Sequence, residues 1–163
     1  MNFYHYSEKP ISLEGIRDSA QTHEEPAFKP KGIWLSVGDE WAKWVKEETS
    51  WAETRGALNH KADVILKCDA NILWITNEQE LRDFHAARGK IHPIIRSQYI
   101  NWQSISLDYD GIVIAPYVWE CRMDVGWYYP WDVASACIWR KRAIRDVLPV
   151  MEVDNEVDNA RMN

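Results

Sequence analysis

The chain has 163 residues, 46% of them hydrophobic, and a formal net charge of −6, as is typical of one soluble globular domain with a sizeable core. The negative charge argues against a non-specific nucleic-acid binder, because phosphate contacts require clustered Lys and Arg. No apolar run approaches the length of a membrane span and the N-terminus lacks a signal-peptide pattern, so we expect no membrane association.

The first part of the chain predicts two strands and a helix. Residues 2–7 alternate aromatic and polar side chains, which is the pattern of a short strand. The proline-rich segment that follows is expected to be mostly loop, with a short helix at residues 12–19. Residues 31–37 form the next predicted strand, and residues 36–39 then cap a helix that continues through Glu48.

The middle of the chain predicts a pair of strands followed by a capped helix. Residues 62–68 and 72–75 are the two strands, separated by a short polar turn. Asn77 is the expected N-cap of the helix, because Glu80 stands three residues later as in a capping box. Gly89 follows the last residue of the helical pattern and is expected to end it.

The last third of the chain predicts a short helix, two strands and an acidic tail. We expect the helix at residues 102–109 and the strongest strand at residues 112–118, with another strand at 136–139. Residues 143–148 fit either a last helical turn or an edge strand. The polar segment 151–163 is expected to be a disordered tail after a single domain spanning the first 150 residues.

Aromatic residues concentrate in the second half of the chain. The tryptophans of this region are Trp102, Trp119, Trp127, Trp131 and Trp139. Such a cluster beside polar residues has two interpretations, a cleft lined by aromatic rings or a core rich in them. In the helix expected after residue 39, Trp41 and Trp44 share one face, and packing of that face against the core is the favoured interpretation.

Strands and helices do not alternate strictly along the chain, which argues against a doubly wound parallel sheet. We therefore predict an α+β fold, with mixed β-sheets and peripheral helices. The three cysteines Cys68, Cys121 and Cys137 are an odd number without CxxC spacing, so neither a disulfide framework nor a structural zinc site is expected. A reducing, cytoplasmic location follows as the simplest expectation, with Cys121 and Cys137 as packing residues.

Familiar catalytic signatures are absent from the sequence. It contains no glycine-rich phosphate loop, no GxSxG or HExxH motif and no paired metal-ligand spacing, so we expect no metal. The five histidines are scattered, and most are interpreted as surface residues. His5 is the exception, because it stands within a predicted strand with Ser7 on the same face. A histidine held in this way can donate a hydrogen bond to a ribose or an amide.

Five segments, taken in order, resemble the ADP-ribosyltransferase superfamily, in the branch marked by a His, an aromatic residue and a Glu. Residues 3–7 are similar to the first strand of that branch, with an aromatic before the His and a hydroxyl residue two positions after it. Residues 32–36 resemble its second motif, an aromatic and a Ser on a strand that leads into a helix. Residues 64–81 resemble its middle section, and 109–112 with 136–139 resemble its closing strands.

The resemblance covers about residues 3–145 and implies both a fold and an activity. The fold would be of the ADP-ribosyltransferase type, and the substrate would be NAD, whose ADP-ribose passes to a protein or nucleic-acid acceptor as nicotinamide leaves. His5 would bind the nicotinamide ribose, and aromatic stacking would suit the cationic pyridinium ring. The other residues that the resemblance places around NAD are Tyr6, Ser7, Trp34, Ser36, Tyr128, Tyr129 and Trp131.

The third motif departs from the family pattern. The family has a Glu just before the last strand, whereas this chain has Asp132 as the nearest carboxylate and Ser135 at the Glu position. A carboxylate there would stabilise the positive charge that develops on the ribose. Asp132 could supply the negative charge, but its side chain is one methylene shorter than that of Glu. Ser135 could form a hydrogen bond with a ribose hydroxyl, but it carries no charge. Asp132 is equally interpreted as a turn or capping residue.

Three functions remain open on this basis. The first is an NAD-dependent ADP-ribosyltransferase. The second is a catalytically inactive module on the same fold that binds a nucleotide or a partner, and the missing Glu favours it. The third is an acidic inhibitor or interaction protein that acts through its net charge. The basic run at residues 140–142 is interpreted as a solvated face or as a contact for a phosphate or an acidic acceptor.

Overall fold

A seven-stranded mixed sheet and a separate two-stranded hairpin organise the protein in the computed structural model, which describes residues 1–22, 28–47, 56–94 and 96–150. The strands and α-helices of these ranges are β1 (Phe3–Ser7), β2 (Ile33–Val37), α1 (Glu40–Glu47), β3 (His60–Leu66), β4 (Ile72–Ile75), α2 (Glu78–Arg88), β5 (Gly89–Ile91), β6 (Gln98–Ile100), α3 (Trp102–Asp108), β7 (Gly111–Ile114), β8 (Ser135–Ile138) and β9 (Ile144–Pro149). None of the helices in these ranges has the length and apolar character needed to cross a bilayer.

The strand order of the large sheet is β4-β7-β8-β2-β1-β3-β9. Among the described strands of this sheet, β4 and β7 run parallel and every other neighbouring pair runs antiparallel. The hairpin of β5 and β6 is also antiparallel. A sheet dominated by antiparallel pairs with separate helices confirms the predicted α+β class, and a doubly wound parallel sheet is excluded.

The hydrophobic core centres on β7 and β8, whose residues are all buried. A strand that is buried along its whole length must be covered on both faces of the sheet. Helix α2 contributes Leu81 to this core, and α3 contributes Trp102 and Ile105, each no more than 2% exposed. Burying side chains of this size stabilises the fold by about 1.5–3 kcal/mol each.

The tryptophan cluster of the second half belongs mainly to the core. Trp102, Trp127, Trp131 and Trp139 are each no more than 2% exposed, whereas Trp119 is 66% exposed. The ring of Trp127 packs edge-on against Trp102 at 5.7 Å and against Trp131 at 6.1 Å between centroids. The core interpretation is therefore right for most of these residues, and the cleft interpretation applies to Trp131 alone, as described below.

The apolar face predicted for α1 does not pack into the core. None of the described side chains of α1 is buried, and the rings of Trp41 and Trp44 stack on each other with centroids 5.0 Å apart. The core interpretation of these two residues is wrong, because α1 follows β2 at the edge of a cavity that Trp41 lines. The expected extension of this helix to Glu48 falls outside the described residues, as does the predicted tail at 151–163.

Two predicted elements are shorter in the structure. The helix expected at residues 12–19 is a single 3-10 turn, Leu13–Gly15, because the backbone is already extended at Ile16. The strand expected at 112–118 is β7, which ends at Ile114. Pro116 follows closely and has no amide hydrogen to offer a neighbouring strand, so it cannot continue the ladder.

Both strands predicted for the middle of the chain are present, as β3 and β4. Strands β3 and β4 are consecutive, but β3 pairs with β1 and β9, whereas β4 pairs with β7. The turn at Cys68–Asp69 leads the chain from β3 to β4 at the opposite edge of the sheet. Of the two interpretations of residues 143–148, the edge strand is correct, as β9 lies at the end of the strand order.

The predicted cap of α2 is present. The side-chain oxygen of Asn77 accepts a hydrogen bond from the amide of Glu80 at 3.0 Å. We expect Asn77→Ala to lower the free energy of unfolding by about 1 kcal/mol, because an orphan amide of the first turn loses its acceptor. Urea unfolding would measure the change, and Asn77→Ser, which keeps an acceptor, should recover most of it. Equal stability of Asn77→Ala and the parent chain would contradict a capping role.

Candidate functional site

A cavity of about 290 Å³ opens beside the central strands and has predominantly aromatic walls. The rings around it are Tyr4, Tyr6, Trp34, Trp41 and Trp131. Trp34 and Trp131 meet edge to face, with centroids 4.9 Å apart, and so form one continuous wall. Rigid aromatic walls suit a planar ligand, because ring faces give large contact areas with little loss of side-chain freedom.

Sheet neighbours bring the polar residues of the cavity together. Strands β1, β2 and β8 are adjacent, with Tyr4 opposite Ser36 and Ser36 opposite Ser135. Residues from three distant parts of the chain therefore stand in one row across the sheet. This row explains how the motifs around His5, Trp34 and Ser135 come to line the same cavity.

His5 bridges β1 and β2 where their backbone pairing ends. The two strands pair Phe3 with Val37 and Tyr4 with Ser36. One residue further along β1, the Nδ1 of His5 lies 2.9 Å from the carbonyl oxygen of Trp34. A carbonyl oxygen can only accept, so Nδ1 carries the proton. In the neutral ring, Nε2 then accepts hydrogen bonds, which reverses the donor role expected from the sequence.

Ser36 fixes the turn that carries Trp41 to the cavity. Its hydroxyl donates to the Gly38 carbonyl at 2.7 Å and accepts from the Trp41 amide at 3.0 Å. Gly38 has a φ of 57°, a left-handed conformation that glycine adopts without steric cost. Ser135, which also lines the cavity, donates its hydroxyl hydrogen to the Val133 carbonyl at 3.0 Å, so its oxygen keeps acceptor capacity.

Lys29 is the cationic side chain of the described cavity lining. Its Nζ lies 5.0 Å from the centroid of the Trp34 ring, and burial lowers the pKa of its ammonium, an effect that the charge of Asp132 partly offsets. The described residues that line the cavity include no carboxylate. The site is consequently aromatic, with one positive charge and a few neutral polar groups.

Asp132 lies outside the cavity lining. Its carboxylate pairs with the Arg122 guanidinium at 3.2 Å, and its φ of 59° places it in the left-handed region at the end of a 3-10 helix. The exposed ring of Tyr129 also contacts Arg122, at 5.0 Å from the centroid, and does not line the cavity. The turn interpretation of Asp132 is thus supported, because its side chain already holds a cation.

Ser7 and Tyr128 also stand apart from the cavity. The Ser7 hydroxyl donates to the Lys9 carbonyl at 2.7 Å, and Ser7 lines a second cavity. Tyr128 is completely buried, and its hydroxyl accepts from the Val118 amide at 3.0 Å. Of the residues named from the sequence, the cavity brings together His5, Tyr6, Trp34, Ser36, Trp131 and Ser135.

Three residues that shape the cavity were not among the site residues expected from the sequence. Lys29 and Trp41 line it, and Glu40 accepts a hydrogen bond from the Ala134 amide at 3.0 Å, which holds the segment before β8. The spacing of Trp41 and Trp44 indicates an apolar helix face, but the same spacing is expected whether that face packs on the core or lines a cavity. Lys29 stands with Lys31 in a short charged run, a pattern that favours a solvated face rather than a cavity.

A charged cluster lies at the rim of the cavity. The Tyr6 hydroxyl donates to Asp39 at 2.6 Å, and Lys61 pairs with the same carboxylate at 2.7 Å. The hydrogen bonds from Lys61 and Tyr6 lower the pKa of Asp39. The Lys61 ammonium also lies 3.9 Å from the centroid of the Tyr4 ring. These contacts hold both tyrosine rings in place at the mouth of the site.

These features define a candidate ligand site that has to be interpreted from its own chemistry. No family model, curated protein or solved structure matches the chain. In the described parts of the chain, no three His, Cys, Asp or Glu side chains cluster in a way that could hold a metal ion. The aromatic walls, His5 and Lys29 are therefore the groups on which a functional proposal can rest.

Proposed function

We propose that the chain binds NAD in the aromatic cavity and acts as an ADP-ribosyltransferase, with a fold of that type. The observation that carries the proposal is the convergence of His5, Trp34, Ser36 and Ser135 on one cavity. These residues were selected from separate sequence segments by their resemblance to the motifs of that family. Their assembly around a common space supports a shared ligand.

The nicotinamide end of NAD is the part that suits the cavity. Its volume of about 290 Å³ lies at the lower limit of ligand pockets, so a ring and its ribose fit inside and the adenosine half lies outside. The pyridinium ring would stack against Trp34 or Trp131, since aromatic faces attract a planar cation. The Nε2 of His5 would accept a hydrogen bond from a ribose hydroxyl.

The reaction would break the bond between the ribose C1′ and the nicotinamide nitrogen. Nicotinamide leaves with the bonding electron pair, and a nucleophile of a protein or nucleic-acid acceptor forms the new bond at C1′ and loses its proton. The positive charge that develops on the ribose needs an anionic or dipolar group nearby. Ser135, which lines the cavity, would supply a hydroxyl dipole for this purpose.

A binding module without transfer activity is the second candidate. The observation that favours it is the set of charges around the cavity. Asp132 pairs with Arg122, and the described lining residues include the cation Lys29 but no carboxylate. A positive neighbour would raise the energy of an oxocarbenium-like transition state, so the same cavity could hold a nucleotide without cleaving it.

One experiment separates the two candidates. Purified protein is incubated with NAD, nicotinamide release is followed by chromatography, and a thermal-shift titration runs in parallel. Release together with a shift supports the transferase, whereas a shift without release supports the binding module. The absence of both responses would refute NAD as the ligand.

We expect Asp132→Asn to retain NAD binding and nicotinamide release. The amide keeps a hydrogen bond to Arg122, and the lost ion pair, with side chains 23% and 22% exposed, is expected to cost about 1 kcal/mol or less of unfolding free energy. Ser135→Ala is the matched variant inside the cavity and should lower release if transfer occurs. Loss of release in Asp132→Asn at unchanged melting temperature would instead place that carboxylate in the reaction.

A further inference from the structure

Lys29 is a partly buried cation to which the described part of the chain offers no counter-ion. Its Nζ lies over the Trp34 ring, and none of the described carboxylates forms an ion pair with it. The carboxylate that influences it electrostatically, Asp132, is already paired with Arg122 at 3.2 Å. The lysine is thus charged, partly desolvated and open to the cavity.

A cation in this position is costly unless an anion compensates it. Removing an ammonium from water has a large desolvation cost, and attraction to the face of one aromatic ring offsets only about 0.5–2 kcal/mol of it. The depressed pKa of Lys29 is the expected sign of that incomplete compensation. An anionic group of a ligand would supply the missing partner.

We propose that Lys29 binds a phosphate of the ligand, so that the cavity selects phosphorylated nucleosides over the corresponding free nucleosides. This inference rests on the proposed function for the ring and ribose that occupy the cavity. The phosphate at the 5′ position of that ribose would then lie beside the Lys29 ammonium, with the base against the aromatic wall. A charge-assisted hydrogen bond to a phosphate oxygen is short and strong.

The test compares two ligands that differ only by the phosphate, nicotinamide mononucleotide and nicotinamide riboside. Isothermal titration with the full-length chain should show a preference of roughly 10- to 100-fold for the mononucleotide, as expected for a hydrogen bond between charged groups. In Lys29→Gln the preference should disappear, while affinity for the riboside stays unchanged or rises. Lys29→Arg should retain most of the preference, because it keeps the positive charge.

A pH series gives a readout that a merely structural lysine would not produce. Above pH 7 the phosphate is almost fully dianionic, so the phosphate preference should persist at neutral pH and fall as Lys29 loses its proton. Burial lowers the pKa of Lys29, so this fall should begin below the 10.5 of an ordinary lysine. Among the described residues, the charged or titratable groups that act on Lys29 are Asp132, which is held by Arg122, and Cys137, whose pKa burial raises.

The same titrations with AMP and adenosine keep the two proposals distinguishable. If neither nicotinamide ligand binds but AMP binds better than adenosine in a Lys29-dependent manner, the phosphate site stands and the NAD proposal fails. If nicotinamide mononucleotide and the riboside bind equally, or Lys29→Gln keeps the preference, the inference about Lys29 is overturned. If none of the four ligands binds, both proposals fail.

Discussion

We expect His5→Ala to weaken NAD binding by roughly 10- to 100-fold and to abolish nicotinamide release. The substitution removes the Nε2 acceptor proposed for the ribose and the Nδ1 bridge of 2.9 Å to the Trp34 carbonyl. Loss of a hydrogen-bond partner in a confined site costs about 1–3 kcal/mol, which corresponds to that range of affinity. Isothermal titration with NAD and chromatographic detection of nicotinamide would measure both effects.

His5→Asn is the variant that separates the two roles of this side chain. The amide nitrogen of Asn stands near the position of Nδ1 and can still donate to the Trp34 carbonyl, but nothing replaces Nε2. We expect this variant to melt close to the parent chain and to bind NAD as poorly as His5→Ala. Normal NAD binding by His5→Asn would show that His5 serves only to join β1 and β2.

The largest effect on stability is expected for Trp131→Ala, at about 3–5 kcal/mol of unfolding free energy. Trp131 is 2% exposed and packs against Trp34, Trp102, Trp127 and Tyr128, with centroids between 4.9 and 6.5 Å from its own. Its removal would leave a large void between the core and the cavity, which the surrounding rigid rings cannot fill. Urea unfolding monitored by circular dichroism would measure the loss.

Trp131→Phe provides the matched control, because it keeps an aromatic ring and removes the indole N–H. That N–H has no hydrogen-bond partner among the described residues, so its loss breaks no bond within the protein. We expect Trp131→Phe to retain most of the stability that Trp131→Ala loses. A loss below about 1 kcal/mol in Trp131→Ala would contradict a core role for this ring.

Local patterns predicted the elements that carry their own signals. The alternation around His5 and the capped segment at Asn77 identified β1 and α2, because strand periodicity and helix capping depend on neighbouring residues. The same local signals overestimated the helix expected after Ser12 and the strand expected up to Val118. Short apolar segments lack enough periodicity to define where an element ends.

The candidate site was predictable only in part. His5, Trp34 and Ser36 stand on strands where alternation limits which face each side chain occupies, so motif spacing could select them. Asp132 was selected as a carboxylate near the expected position, but its orientation toward Arg122 depends on a 3-10 turn with a left-handed residue at its end. Lys29 stands in a short charged run that is typical of a solvated face, and its place in the cavity depends on the fold around it.

The sequence alone determined the α+β class, the concentration of aromatic residues in the second half of the chain and the strand positions of His5 and Trp34. Only the tertiary structure decided that β3 and β4 lie apart in the sheet, that Trp41 lines a cavity, and that Lys29 is the cation within it. The physical reason is the range of the interactions. Periodicity and capping act over a few residues, whereas strand order and cavity lining depend on burial of apolar surface between segments far apart in the chain.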